Sequence, residues 1–206
     1  MYRILENTNH EIIIDKSRFI CYLFRVFSEQ GAKDEIAAVK KLHPNATHHC
    51  YAFMIGAHNE IQRSNDNGEP SGTAGAPILD SLTKNQMNDT LAVVVRYFGG
   101  IKLGAGGLIR AYSKSTSEAL KHAIITQKMQ TMVSQLTFDY AFIGVLDHYL
   151  STNNIIILDK QYEELVTYTL RSVSDFSRDI QELSSGRYPL EFIKNEEVEI
   201  EVQPET

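Results

Sequence analysis

The chain has 206 residues and a formal net charge of −6, and its 43% hydrophobic and 22% charged residues are ordinary for a soluble globular protein. No apolar run approaches the roughly 20 residues that a membrane span needs, and the N-terminal segment lacks the hydrophobic region of a signal peptide. Two cysteines are too few for a disulfide framework, so we expect a protein of the reducing cytoplasm without a membrane partner.

The charge is unevenly distributed along the chain. Residues 1–132 hold 15 Lys and Arg against 12 Asp and Glu, whereas residues 133–206 hold 5 against 14. An anionic partner would therefore bind to the first part, and the second part would repel it or contact a basic protein. The alternative is two solvated surfaces of different charge.

The first third of the chain predicts strands, a helix and another strand. Residues 11–14 and 18–27 are rich in β-branched and aromatic residues, which favours strands. Ser28 can cap a helix that Pro44 ends. A further strand is predicted over residues 48–55.

That strand raises the question of a metal site. His48 and Cys50 point to the same side of it, and Cys21 lies on a possible neighbouring strand. Structural zinc takes four ligands in paired spacings that are missing here, so packed or hydrogen-bonded side chains are the alternative interpretation. We predict neither a metal nor a cofactor.

Residues 58–76 are polar and rich in glycine, and they predict a long loop. Asn67-Gly68 is a strong turn signal, and Pro77 suits the first turn of a helix that ends near Thr83. Ser71 and Thr73 could bind an anion, cap that helix, or do both. Loop carboxylates without a base–nucleophile pair predict no catalytic residue. The candidate residues of this loop motif are Arg63, Asp66, Gly68, Glu69, Ser71, Gly72, Thr73 and Gly75.

The stretch from Leu91 predicts a strand, a glycine loop and a helix. Leu91–Val95 is an apolar run suited to a strand buried on both faces, Gly99–Gly107 holds five glycines, and a helical pattern begins near Leu108. A glycine loop that leads into a helix N-terminus is a plausible anion site, because the first helical N–H groups have no partner within the helix. The alternative is tight strand-to-helix packing beside solvated cations.

We interpret this stretch as a site for an anion or a nucleic acid, since aromatic residues among cations suit stacking on single-stranded nucleic acid. The pattern matches neither a Walker loop nor a dinucleotide fingerprint. The candidate binding residues are Arg96, Tyr97, Lys102, Gly104, Gly106, Gly107, Arg110, Tyr112 and Lys114.

The acidic part predicts a separate domain, with the division at residues 131/132, so that the two domains are 1–131 and 132–206. The order is strand, helix, strand, strand, helix, strand, which is that of a ferredoxin-like fold. The predicted ranges are 132–140, 142–150, 155–161, 164–173, 174–183 and 191–202.

Two long glycine-rich blocks resemble the IMPACT family and its bacterial, YigZ-like branch. They are RSNDNGEPSGTAGAPIL at residues 63–79 and VVVRYFGGIKLGAGGLIRAYS at 93–113, and SRFI at 17–20 and HHCYAF at 48–53 also fit. The resemblance implies an α+β protein: an N-terminal domain with the left-handed βαβ fold shared with GHMP kinases and a ribosomal protein, then a ferredoxin-like domain. Eukaryotic members regulate translation by binding an activator of the general-control kinase.

The chain departs from the family pattern at two positions. Asn67 stands where a second aspartate is usual, and Val95 stands where a threonine is usual. Any chemistry done by those side chains should be absent here. The simpler interpretation is that neither position is catalytic.

Three functional hypotheses follow. The first is a non-enzymatic regulator that acts near translation and binds RNA or a ribosome-associated protein through the cationic glycine-rich loop. The second is an enzyme or sensor that binds a small phosphorylated ligand at the same loop. In the third, the two glycine blocks only pack against each other.

Overall fold

The computed structural model describes residues 1–202 and divides into two compact units. Among these residues, the first unit is Met1–Gln127 together with Glu201 and Val202, and the second is Lys128–Ile200. Within the described residues, no helix is both long and apolar enough to cross a membrane.

The first unit alternates strands and helices. Its elements are β1 (Tyr2–Ile4), β2 (Thr8–Ile14), β3 (Ser17–Arg25), α1 (Glu29–Leu42), β4 (His48–Ile55), β5 (Ile61–Asn65), α2 (Gly75–Lys84), β6 (Thr90–Tyr97) and α3 (Gly104–His122).

Strand β6 is the centre of the first unit's sheet, whose order is β2-β3-β6-β4-β5. All five apolar residues of the predicted strand, Leu91–Val95, are fully buried. They are covered on both faces because side chains of β6 alternate between one cluster with α2 and α3 and another with α1. Both β3 and β4 run antiparallel to β6, so α1 connects two parallel strands that have β6 between them. The left-handed sense of this connection stays a prediction.

The second unit confirms the predicted ferredoxin-like order. Its elements are β7 (Ile125–Phe138), α4 (Ile143–Thr152), β8 (Ile156–Tyr162), β9 (Val166–Ser172), α5 (Ser177–Leu183) and β10 (Glu191–Glu201). Within Lys128–Ile200 the strands are ordered β10-β7-β9-β8, and β1 pairs with the first three residues of β7, which belong to the first unit. Both helices contribute to one core with the sheet, through residues such as Leu146, Tyr168 and Ile180. The α+β class with two domains is therefore confirmed.

Two details differ from the sequence interpretation. Helix α3 begins at Gly104 rather than near Leu108, so the loop that joins β6 to it is only Phe98–Leu103. The reason is that Gly106 and Gly107 adopt helical conformations despite their low propensity. Strand β5 lies in the stretch predicted as loop, because four of its five residues are exposed and the strand shows no apolar alternation.

A close backbone approach explains one glycine of the loop between β6 and α3. A Cβ on Gly99 would lie 2.0 Å from the carbonyl carbon of Lys16, in the turn between β2 and β3. Only glycine fits there without a backbone shift. The loop is thereby held against the β2–β3 turn.

Candidate functional site

The two glycine-rich blocks meet at a buried carboxylate. Glu69 Oε1 accepts hydrogen bonds from Arg96 Nη1 at 2.6 Å and from the Tyr112 hydroxyl at 2.8 Å. The side chains of Glu69 and Arg96 are only 4% and 6% exposed. Because each charge has lost its water, the pair depends on this mutual contact and on the added hydroxyl.

Three different elements bring these side chains together. Glu69 follows the Asn67-Gly68 turn, in which both residues have positive φ values of 43° and 84°. Arg96 stands near the end of β6, and Tyr112 lies in α3. The carboxylate therefore links the turn, the central strand and the helix.

Polar groups beside this pair are also engaged. The Cys50 thiol donates to the Asp66 carbonyl at 2.9 Å, and burial raises its pKa to about 12. His48 Nδ1 donates to the Asn67 carbonyl at 2.8 Å, which leaves Nε2 facing Glu69 Oε2 at 3.7 Å. A neutral thiol is a poor nucleophile and a poor metal ligand, so Cys50 packs and bonds rather than reacts.

The structure offers no metal centre at these residues. Cys21 and Cys50 are both buried thiols, and burial raises the pKa of Cys21 to about 12 as well. Over residues 1–202, no three or more His, Cys, Asp and Glu side chains are grouped so as to hold a metal ion.

The N-terminus of α2 is occupied by the protein's own carboxylate. Asp66 accepts from the backbone N–H groups of Gly72, Ala74 and Gly75 at 2.9, 2.9 and 2.8 Å. Burial raises the pKa of Asp66, but the three donors lower it by more, so that the net shift is downward. An external anion would have to displace this side chain.

The sequence offered Ser71 and Thr73 as caps of this helix. Instead, the hydroxyl of Thr73 donates to the Pro70 carbonyl at 2.6 Å and Ser71 is exposed, so Asp66 is the residue that caps α2. The remaining polar member of this loop motif, Arg63, lies 3.6 Å from Glu29 on the surface.

The N-terminus of α3 is different. Within the described chain it has no side-chain cap, and Gly104, Ala105 and Gly106 are exposed. Lys102 precedes it and is exposed, and Nη1 of Arg110 lies 3.5 Å from where a Cβ on Gly106 would be. The Arg110 guanidinium therefore lies along the first turn, as expected for a helical side chain that points toward the N-terminus.

Two predicted binding residues are corrected by the structure. Arg96 is 5% exposed and Tyr112 is fully buried. Both point inward because Glu69 takes up the guanidinium charge and the hydroxyl. Neither can contact a phosphate or stack on a base without unfolding of this cluster.

The other predicted residues lie nearer the surface. The Tyr97 hydroxyl bonds His43 Nδ1 at 2.9 Å, and its ring lies 5.3 Å from the Arg18 guanidinium. Lys114 is exposed one turn beyond Arg110, and Gly107 packs against Leu103.

Exposed apolar residues lie beside the α3 N-terminus; sequence reasoning placed Phe98 beside the loop without listing it as a binding residue, and it missed Ile101. Phe98 is 48% exposed and Ile101 is 42% exposed. Their position next to the glycine pair was the available signal. We call Phe98, Ile101, Lys102, Arg110 and the amides of residues 104–106 the loop surface.

Comparisons with known proteins cover both units. Residues 15–120 match the model of the Impact N-terminal domain, and residues 136–187 match that of a domain of unknown function, DUF1949. IMPACT family member YvyE of Bacillus subtilis is 45% identical over 190 residues, which are 90% of this chain and 88% of YvyE.

More distant relatives also extend over both units. IMPACT family member YigZ of Escherichia coli is 34% identical over 183 residues, which are 86% of this chain and 90% of YigZ. A crystal structure described as a hypothetical protein is 31% identical with a TM-score of 0.60, over 94% of this chain and 97% of that one.

Removing one partner of the buried pair should be costly. We expect Glu69→Gln to lower the free energy of unfolding by about 3 kcal/mol, because the Arg96 charge stays buried without a counter-charge. The double variant Glu69→Gln with Arg96→Met should lose much less stability than the two single variants lose in total. Urea unfolding measures the cycle, and Glu182→Gln in the exposed pair with Arg178 is the control, at under about 1 kcal/mol. Additive losses would show that the pair is not coupled.

The Asp66 cap should give acid-sensitive stability. Because its folded pKa lies below the unfolded value, the stabilisation is present above about pH 4 and is lost as the pH falls through the folded value. Asp66→Asn should cost about 1 kcal/mol at pH 7. The difference from the unmodified chain, measured by urea unfolding at several pH values, should narrow below about pH 4. A gap that is constant with pH would contradict a charged cap.

Proposed function

The chain belongs to the IMPACT family, and on that premise we propose that it is a non-enzymatic regulator that acts near translation and binds RNA through the loop surface. The observation that carries the proposal is the uncapped N-terminus of α3 with Lys102 and Arg110 beside it. Support for the translational setting comes from what the family resemblance implies for the eukaryotic members. A ribosome-associated protein is the alternative partner.

The charge available to a phosphate is modest. Arg96 is neutralised by Glu69, which leaves Lys102, Arg110 and the positive end of α3. A helix end carries roughly half an elementary charge, concentrated on its bare N–H groups. This surface therefore suits one or two phosphates, and its affinity should be weak and strongly dependent on salt.

An aromatic ring extends the surface next to these charges. The Phe98 backbone N–H donates to Thr47 Oγ1 at 3.1 Å, and the Arg96 guanidinium lies 5.6 Å from the Phe98 ring. These contacts place a half-exposed ring at the start of the loop. Stacking of a base on such a ring contributes roughly 1–3 kcal/mol and tolerates any sequence.

The nearby carboxylates already accept hydrogen bonds from the protein itself, which favours a binding role over catalysis. Glu69 is held by Arg96 and Tyr112, and Asp66 is held by three backbone N–H groups. A general base needs a lone pair directed at a substrate, and small-ligand enzymes bind in concave pockets rather than on an exposed helix end.

Charge reversal tests the cationic part of the surface. We expect Lys102→Glu with Arg110→Glu to raise the Kd for a fluorescent single-stranded oligo(U) at least tenfold and to flatten its salt dependence, because phosphate contacts are lost. Fluorescence anisotropy at several salt concentrations measures both. The control, Lys40→Glu with Lys41→Glu, makes the same change in net charge on α1, which packs on the opposite face of the sheet.

Equal losses in both double variants would mean that only net charge matters, and would contradict the site. The small-ligand hypothesis would be favoured instead if the unmodified chain does not bind oligo(U) but a nucleotide or phosphosugar raises its melting temperature. That ligand should not raise the melting temperature of the Lys102→Glu, Arg110→Glu variant. Retention of a ribosomal protein and no RNA from lysate would favour the protein partner.

The aromatic part has a separate signature. Phe98→Ala should weaken oligo(U) binding about tenfold, because one stacked base is lost, and should leave the salt dependence unchanged. Phe98→Tyr should keep most of the affinity, since the ring is retained. If Phe98→Ala binds as tightly as the unmodified chain, bases do not stack on this ring.

A further inference from the structure

An apolar groove lies between the two helices of the second unit. Its volume is about 500 Å³, and Gly144, Val145, His148, Tyr149 and Leu183 are among its lining residues. Val145 is 49% exposed and Leu183 is 38% exposed. The groove thus leaves apolar surface of both α4 and α5 in contact with water.

Gly144 lies in the wall of this groove without a structural need for glycine. It has no positive φ, and a Cβ built on it would meet no other atom within 4 Å in the described chain. Glycine in a helix costs roughly 0.5–1 kcal/mol relative to alanine. Because glycine has no side chain, the α4 backbone at Gly144 stays accessible to another molecule.

The rim of the groove is negatively charged. Within the described chain α4 contains no Lys or Arg, and the only cation of α5 is Arg178, whose Nε donates to Glu182 at 3.1 Å. Asp179 lies at the edge, where it accepts from the hydroxyl of the lining residue Tyr149 at 2.6 Å. Lys128–Ile200 as a whole holds 12 acidic and 6 basic residues.

We propose that this groove binds an amphipathic helix of a basic protein. The apolar side chains of that helix insert between Val145 and Leu183, and its Lys or Arg side chains contact Asp179 and Glu182. A helix of ten residues such as α4 is about 15 Å long, so about three turns of the partner fit along it. An apolar groove between helices is a usual receptor for such a segment. This second contact is independent of the RNA site.

A synthetic peptide tests the proposal directly. The probe has about 14 residues, with leucines at i, i+3, i+4 and i+7 and lysines elsewhere, and its scrambled isomer is the control peptide. In fluorescence anisotropy with the full chain, we expect the patterned peptide to bind at least tenfold more tightly than the scrambled one. Amide NMR shifts should be confined to α4 and α5.

Variants of the chain then locate the contact. Gly144→Leu, a good helix former at an open position, should keep the fold and raise the Kd at least tenfold. Asp179→Lys with Glu182→Lys should do the same, whereas Glu163→Lys with Glu164→Lys, in the exposed β8–β9 turn, should leave the Kd unchanged.

Several results would overturn the proposal. Equal affinity for the scrambled peptide, or for a Leu/Glu peptide of the same pattern, would remove the specificity for a basic helix. Shifts elsewhere in the chain would place the contact outside the groove. Self-association that Gly144→Leu abolishes would make the occupant a second copy of the chain.

Discussion

The buried ion pair between Glu69 and Arg96 is the interaction on which the first unit depends. It joins the turn after β5 to the central strand, and Tyr112 adds α3 to the same carboxylate. A charge without water needs a partner in a fixed position, so the pair constrains where the loop after β6 begins. The close contact of Gly99 with Lys16 constrains the next residues. The largely exposed residues 100–106 follow directly after these two fixed points.

This constraint also divides the cations of the glycine block into two groups. Arg96 is buried, pairs with Glu69 and lies over the Phe98 ring, whereas Lys102 and Arg110 are exposed to water. Summing the charges of the block therefore overestimates what a phosphate would meet. The expected consequence is a weak, salt-dependent site in which stacking contributes as much as charge.

Much of the fold could be predicted because its signals are local. The uninterrupted apolar run at Leu91–Val95 marks a strand covered on both faces, and the alternating patterns after residue 131 give the order of the second unit. The candidate site was harder. Arg96 and Tyr112 carry polar groups that usually lie in water, and their burial depends on Glu69, 27 and 43 residues away. Such a pairing leaves no periodic trace in the sequence. The capping role of Asp66 was hidden for the same reason, since the backbone N–H groups that donate to it lie across a turn of irregular backbone.

The N-termini of α2 and α3 show why an exposed amide group calls for explanation. Helix α2 receives Asp66, whereas α3 starts after Leu103, which can offer no acceptor. A Ser, Thr, Asp or Asn cap typically contributes about 1 kcal/mol, and glycines in the first turn lower the helix propensity further. Stability alone would favour a capped, glycine-poor start of α3. An uncapped, glycine-rich start of α3 is consistent with a surface that stays open to an incoming anion. The aromatic and cationic side chains around the start of α3 fit that use. By the same reasoning Gly144 leaves α4 open in the acidic unit. The two proposed binding surfaces therefore differ in charge: the start of α3 lies beside Lys102 and Arg110, whereas the open face of α4 lies in the acidic unit.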